Sequence, residues 1–304
     1  MADIILHHYQ GSPFSELLRV ALGHKQLAWK SVNIPNVAPK PDLTPLTGGY
    51  RKTPVLQIGA DIYCDTAIAI EAIESFKPEP TFYPAPLGRA GAFVGMWASG
   101  PMFMHMVCTA MGPVLDFIPD GFWADRKALF GFDKERVRSG LPHLKAQFEA
   151  SLARAEDALA DGRAFFGGDA PGYADFAFFM DTWFQMRADF GQPDAPVLNP
   201  FPHVRAWHGR VAAIGHGQPT EITAQDALDI AKASTTIVAE LVEPASGFSA
   251  GQRVTVSTED PGANPVAGKL VRLTSRDIAV MRDDPRVGTV CVHFPRLGQV
   301  VIPA

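Results

Sequence analysis

The stretch Ile4-Ile5-Leu6-His7-His8-Tyr9-Gln10-Gly11-Ser12-Pro13-Phe14-Ser15 decides how the first third of the chain is read. Its apolar start is a short strand ending near Tyr9, and Gly11-Ser12-Pro13 then breaks the strand. A proline suits the first helical position, where no amide hydrogen is needed. Phe14, Leu17, Leu18 and Ala21 follow at i, i+3, i+4 and i+7, which predicts an amphipathic helix. Working outward, Trp29 to Ile34 is a second strand by its β-branched and aromatic content. Pro54-Val55-Leu56-Gln57-Ile58, a Gly59-Ala60 turn and Ile62-Tyr63-Cys64 make a hairpin. A helix with Ile68, Ala69, Ala72, Ile73 and Phe76 on one face closes the unit.

The order βαβ then ββα is that of a thioredoxin-like layer of helices on a mixed sheet, assigned to residues 1–80. Between the second strand and the hairpin, Pro35 to Asp42 carries three prolines and Leu46 to Lys52 the pair Gly48-Gly49, so the segment reads mostly as loop. The proline-dense stretch from Pro78 to Pro86 marks a linker. Residues 87–234 have helical periodicity, seen in Leu144, Phe148, Leu152, Ala155 and Leu159, and Thr223-Ala224-Gln225-Asp226 is a capping-box start for the last helix. After Ser234 the period switches to two. Short strands separated by turns such as Pro261-Gly262 and Asp283-Asp284-Pro285 predict a small antiparallel barrel or sandwich over 235–304. The expected fold class is therefore α+β and multidomain.

Composition sets outer bounds. The 304 residues carry 27 Lys+Arg against 32 Asp+Glu, a net charge of −5 that gives no electrostatic reason to expect nucleic acid or an anionic membrane. Three widely spaced cysteines (Cys64, Cys108, Cys291) cannot form a disulfide framework, and the N-terminus lacks a basic segment followed by an apolar one, so a cytoplasmic protein is expected. Ala90 to Leu115 has no charged residue, yet Gly100-Pro101 and Gly112-Pro113 point to a kinked, buried helix and not a membrane span.

Taken alone, Ser12-Pro13 is an ordinary N-cap serine ahead of an N1 proline. Together with three further motifs, in order and spacing over roughly residues 3–234, it resembles the soluble glutathione transferase family. Ser12 is similar in position to that family's thiol-activating serine, with Tyr9 and Ser15 as runners-up. The chemistry is concrete: a thiol of pKa ~8.5 is only a few per cent thiolate at pH 7, and lowering it by about two units needs ~2.7 kcal/mol of preferential anion stabilisation. A hydroxyl donor and the free N–H groups of a helix beginning at Pro13 supply that kind of stabilisation. With serine at both positions where thioredoxin-like proteins keep cysteines, Ser12 and Ser15 exclude dithiol redox chemistry there.

Lys52-Thr53-Pro54-Val55-Leu56 resembles the family's cis-proline segment, which implies that the backbone of Thr53 pairs with the extended glutathione peptide. Asp65-Thr66 at a helix start resembles the acid-hydroxyl pair that holds the γ-glutamyl end, though Asp is one methylene shorter than the usual Glu or Gln and is equally a plain N-cap. Gly167-Gly168-Asp169-Ala170-Pro171-Gly172-Tyr173-Ala174-Asp175 resembles a folding motif of the second domain, with Gly172 replacing the usual N-cap hydroxyl at a cost of a few tenths of a kcal/mol.

Phe14 joins the expected glutathione-site residues. Lys40, Arg51 and Lys52 could reach the glycyl carboxylate, although solvated surface charge explains them too. Residues 96–111 hold five of the nine methionines; Met96, Trp97, Phe103 and His105 are candidates for an electrophile pocket or, equally, for core between helices. No metal site is expected, since His7-His8 have no partners at ligand spacing.

The resemblance thus implies a glutathione-dependent transferase acting on a small apolar electrophile, and a homodimer. The alternatives are a non-catalytic binding protein on the same scaffold and a glutathione-dependent isomerase or lyase. The last 65 residues, with seven basic and seven acidic side chains and two aromatic ones (Phe248, Phe294), fall outside the resemblance and lack the stacking platform of a nucleic-acid barrel.

Overall fold

The computed structural model describes residues 3–187, 196–259 and 264–304; the Pro261-Gly262 turn and the first two residues lie outside them. Strand β1 (Ile4–His8) leads into helix α1 (Pro13–His24) and then strand β2 (Ala28–Asn33). The loop that follows holds a single helical turn, α2 (Thr44–Thr47). The hairpin β3 (Val55–Ile58) and β4 (Asp61–Cys64) and helix α3 (Thr66–Phe76) complete the expected βαβ, ββα order. β1 pairs with β2 in parallel and with β3 antiparallel, so the sheet is mixed.

Helices α4 (Gly91–Trp97), α5 (Phe103–Met111), α6 (Asp120–Phe130), α7 (Lys134–Leu159), α8 (Tyr173–Gln185) and α9 (Pro202–Ala212) follow the linker. The uncharged stretch is kinked where the sequence suggests: Gly100 leaves helical geometry (φ −107°, ψ −105°) beside Pro101. Among the described residues no helix is long and apolar enough to cross a membrane. At the start of α8, Asp175 accepts from the Gly172 backbone (3.0 Å), from Phe166 N (2.9 Å) and from Trp207 Nε1 (2.8 Å). A Cβ at Gly172 would lie 2.8 Å from the Phe82 carbonyl, so the linker's close approach explains why no hydroxyl residue stands there.

The chain then returns to the first sheet. Strand β5 (Gln218–Glu221) pairs in parallel with β2, and helix α10 (Ala224–Ala233), capped reciprocally by Thr223 and Asp226, packs on the sheet and not among α4–α9. The close approach needs glycine: a Cβ at Gly23 would sit 2.0 Å from the Gly215 carbonyl.

After the short β6 (Leu241–Val242), strands β7 (Arg253–Thr258), β8 (Val266–Leu273), β9 (Asp277–Asp284), β10 (Gly288–Pro295) and β11 (Gln299–Pro303) form an antiparallel sheet. It does not stand apart as a separate barrel or sandwich. β10 runs parallel to β4, giving one sheet ordered β11-β7-β8-β9-β10-β4-β3-β1-β2-β5, with β6 beside β8. The physical reason is that β4 would otherwise present an open row of N–H and C=O groups.

Alternation along the strands separates two cores. Ile4, Leu6, Leu56 and Ile58 face α1, α3 and the helical region. Ile5, Val55 and Ile62 face the other way, into a second core shared with Ala227 and Leu228 of α10 and with Val280, Val290, Val292 and Phe294 of the C-terminal strands.

Candidate active site

Ser12 has extended backbone geometry (φ −84°, ψ 122°) and caps α1, its Oγ accepting the Ser15 amide at 3.1 Å. That bond uses an oxygen lone pair and leaves the hydroxyl proton to be donated elsewhere. Pro13 at the first helical position fixes the chain direction, and the twelve-residue helix places its positive end beside the serine. Ser15 is fully buried, and its hydroxyl has no hydrogen-bond partner among the described residues. Tyr9 lies one residue beyond β1 and is half-buried. Phe14 packs on Phe103 of α5 with ring centroids 4.7 Å apart, joining the two halves of the structure beside Ser12.

The Thr53-Pro54 peptide is cis and stands immediately before β3. The Lys40 ammonium donates to Thr53 Oγ1 (2.5 Å) and to the Arg51 carbonyl (2.9 Å). Lys40 is only 8% exposed, so it is not a solvated surface charge; burial pulls its pKa down to about 8. Arg51 is committed to Asp125 of α6 at 2.7 Å. Asp65 takes a left-handed backbone (φ 101°) and caps α3, its Oδ1 accepting the Ala67 amide at 2.9 Å; Thr66 is the buried first residue of that helix.

The electrophile-pocket candidates separate. Phe103 meets Phe14. Met96 is 52% exposed, and Trp97 stacks on Phe178 of α8. His105 is half-buried, its Nδ1 has no partner among the described residues, and desolvation lowers its pKa. Neither strand histidine supplies a cation. Burial takes His7 down to about 4 while it bonds Gln57 Oε1, and takes His8 down to about 3 with Arg19 acting in the same direction. A constellation that spacing could not reveal lies at the β4–β10 seam, where Asp61, Cys291 and His293 converge.

A serine-capped helix, a cis-proline strand edge and an acid-hydroxyl helix start on one thioredoxin-like sheet, followed by a helical region, define a two-part thioredoxin-like class of protein. The comparisons agree. The model of the glutathione S-transferase N-terminal domain matches residues 6–81, and that of its C-terminal domain matches residues 122–210. A GST-like protein from Pseudomonas syringae is 36% identical in sequence, with both chains covered completely and a TM-score of 0.81. Glutathione S-transferase U25 of Arabidopsis thaliana is 28% identical over 195 residues, 63% of this chain and 77% of its own. The structure of rice GST1 in complex with glutathione shares the fold at 19% identity, covering 75% of this chain and 95% of that one with a TM-score of 0.51. The chain belongs to the glutathione S-transferase family.

Proposed function

We propose that the protein binds glutathione across Ser12, Phe14, Thr53, Pro54, Asp65 and Thr66 and transfers its thiolate to a small apolar electrophile beside Phe14 and Phe103. The observation that carries this is the state of Ser12, whose oxygen accepts the Ser15 amide and whose proton is left to donate to an anion at the positive end of α1. The serine acts as a donor and not as a nucleophile; rate comes from thiolate stabilisation and proximity. Lys40, held at Thr53, supplies the cation for a peptide carboxylate. Asp65 serves the γ-glutamyl ammonium while also capping α3. The same reading places the protein in the cytoplasm as a homodimer, and the exposed Phe93 and Met96 of α4 offer an apolar surface for the second copy.

The test is Ser12→Ala with a generic aryl halide as electrophile. A charge-assisted hydrogen bond contributes about 1.5–3 kcal/mol, so the pKa of bound glutathione should rise by about one to two units and turnover at pH 7 should fall roughly 10- to 100-fold. Unchanged values for both would remove Ser12 from the mechanism and leave Tyr9 or Ser15 in its place. Retention of the wild-type protein on immobilised glutathione without turnover of any electrophile would favour the non-catalytic binding protein.

A further inference from the structure

Asp61 on β4 and His293 on β10 are 232 residues apart in sequence, yet their Oδ1 and Nε2 atoms lie 2.7 Å apart. Parallel pairing sets Cys291 opposite Asp61 and His293 opposite Tyr63, and residues two apart on a strand share a face. The cysteine sulfur therefore joins the same cluster, with the donor atoms of all three side chains within 4.8 Å of one another. Cys291 is 0%, Asp61 1% and His293 7% exposed.

We propose that Asp61, Cys291 and His293 form a binding site for a zinc-class divalent cation that staples the C-terminal sheet to the edge of the thioredoxin-like sheet. One thiolate, one imidazole and one carboxylate suit zinc, whereas magnesium and calcium take oxygen-rich sets. Charge favours it as well. Thiolate and carboxylate together balance a dication, so a buried site is neutral when loaded. On loading, the thiol proton leaves to solvent and the imidazole binds through an unprotonated nitrogen.

Supporting contacts of the kind that orient metal ligands are in place. The Ile237 amide donates to Asp61 Oδ2 at 2.9 Å and fixes the carboxylate. The Tyr63 ring stacks on the imidazole, with centroids 4.5 Å apart and planes 18° from parallel. Bonds of about 2.0–2.3 Å in a tetrahedron place neighbouring donors about 3.3–3.8 Å apart. From 2.7 Å the carboxylate-imidazole contact must open by about 0.6 Å, and the sulfur, within 4.8 Å of both, must draw in by about 1 Å at most, shifts within the reach of side-chain rotation. Of the three side chains His293 keeps the most exposure, 9% of its side chain against 1% for Asp61.

The full-length protein, stripped with a chelator under reducing conditions, is titrated with cobalt(II) and then with zinc. Saturation at one equivalent, with a thiolate-to-cobalt band in the near ultraviolet that zinc abolishes, is the expected result. Cys291→Ser should lose that band, His293→Ala should weaken binding at least tenfold, and Cys108→Ser should leave both unchanged. No saturable band in the wild type, or a band that persists in Cys291→Ser, overturns the proposal. Should Cys291→Ser fail to fold by circular dichroism, zinc-edge X-ray absorption of the wild type decides. One sulfur neighbour at about 2.3 Å supports the site, and a shell of nitrogen and oxygen alone overturns it.

Discussion

Lys40 carries its charge into a nearly closed space beside Thr53, and the surroundings work against that charge. Burial is the largest influence lowering its pKa, Arg126 adds to it, Asp125 opposes, and the result is about 8. In the proposed role the side chain attracts a peptide carboxylate while protonated, below that pH, and loses the attraction once deprotonated above it. S-methylglutathione has no ionisable thiol, so its affinity isolates this effect from thiolate formation. Wild type should bind it about tenfold more tightly than Lys40→Met at pH 7, and calorimetry should show that advantage disappearing as pH rises through about 8. An advantage that stays constant to pH 9.5 would mean Lys40 does not face the ligand. Ser12, Thr53-Pro54 and Asp65-Thr66 were legible because each role is local: a cap, a proline, a helix start. Lys40 was legible only as one of three cations for which solvated surface charge was the other reading, since its burial is not encoded locally and the charges that act on it, Asp125 and Arg126, lie more than eighty positions away in sequence.

The loop between β2 and β3 has almost no structure of its own and is held from two sides. From α6, Asp125 accepts the Ala38 amide at 3.0 Å and the Arg51 guanidinium at 2.7 Å, while Arg126 donates to the Asn36 carbonyl at 3.0 Å. From the C-terminal sheet, Arg282 donates to the Pro45 carbonyl, and Arg286 to the Pro41 carbonyl (3.2 Å) and the Asp42 carboxylate (2.7 Å). Those anchors fix where Lys40 meets Thr53. Asp125→Ala frees one of them without touching Ser12, so steady-state kinetics should show the glutathione KM rising about five- to tenfold with kcat within twofold; an unchanged KM would show the loop to be held adequately by the C-terminal sheet alone. The same strands mark the limit of sequence reasoning. Alternation in Thr289–His293 tells which residues face the second core, so β10 is legible, whereas a bulge between Leu270 and Arg272 breaks the period in β8; in neither case does the pattern say which strand lies beside β4. β5, Gln218-Pro219-Thr220-Glu221, is exposed at every position and has no alternation to read.

Across the molecule, two cores on opposite faces of one continuous sheet leave histidines enclosed where β1 passes between them. His8 shows why they stay neutral. Arg19 NH1 can only donate, and it lies 3.0 Å from His8 Nδ1, which must therefore accept; Nε2 is then the protonated nitrogen and donates to Ser31 Oγ at 2.8 Å. Burial likewise holds His7 and His208 at about 4, and His208 Nδ1 is bonded to Thr182 Oγ1 at 2.8 Å. In the unfolded chain all three titrate near 6.5. As pH falls from about 6.5 to 4 the unfolded state therefore takes up protons that the folded state refuses, and stability declines over that window. The limiting slope is about 1.4 kcal/mol per pH unit for each histidine. Carboxylates whose pKa is lowered in the fold, such as Glu16 and Glu74, contribute their loss only below about 4.5, so the two sources separate by pH. Urea midpoints measured from pH 7 to 5 should drop steadily for the wild type. His208→Gln, with an amide in place of the imidazole, should drop less steeply over the same range whatever its stability at pH 7. Burial raises the pKa of Asp181, which acts with the opposite sign, so the comparison of the two proteins is what decides: equal slopes for His208→Gln and wild type from pH 6.5 to 5 would mean that His208 is protonated in the folded protein.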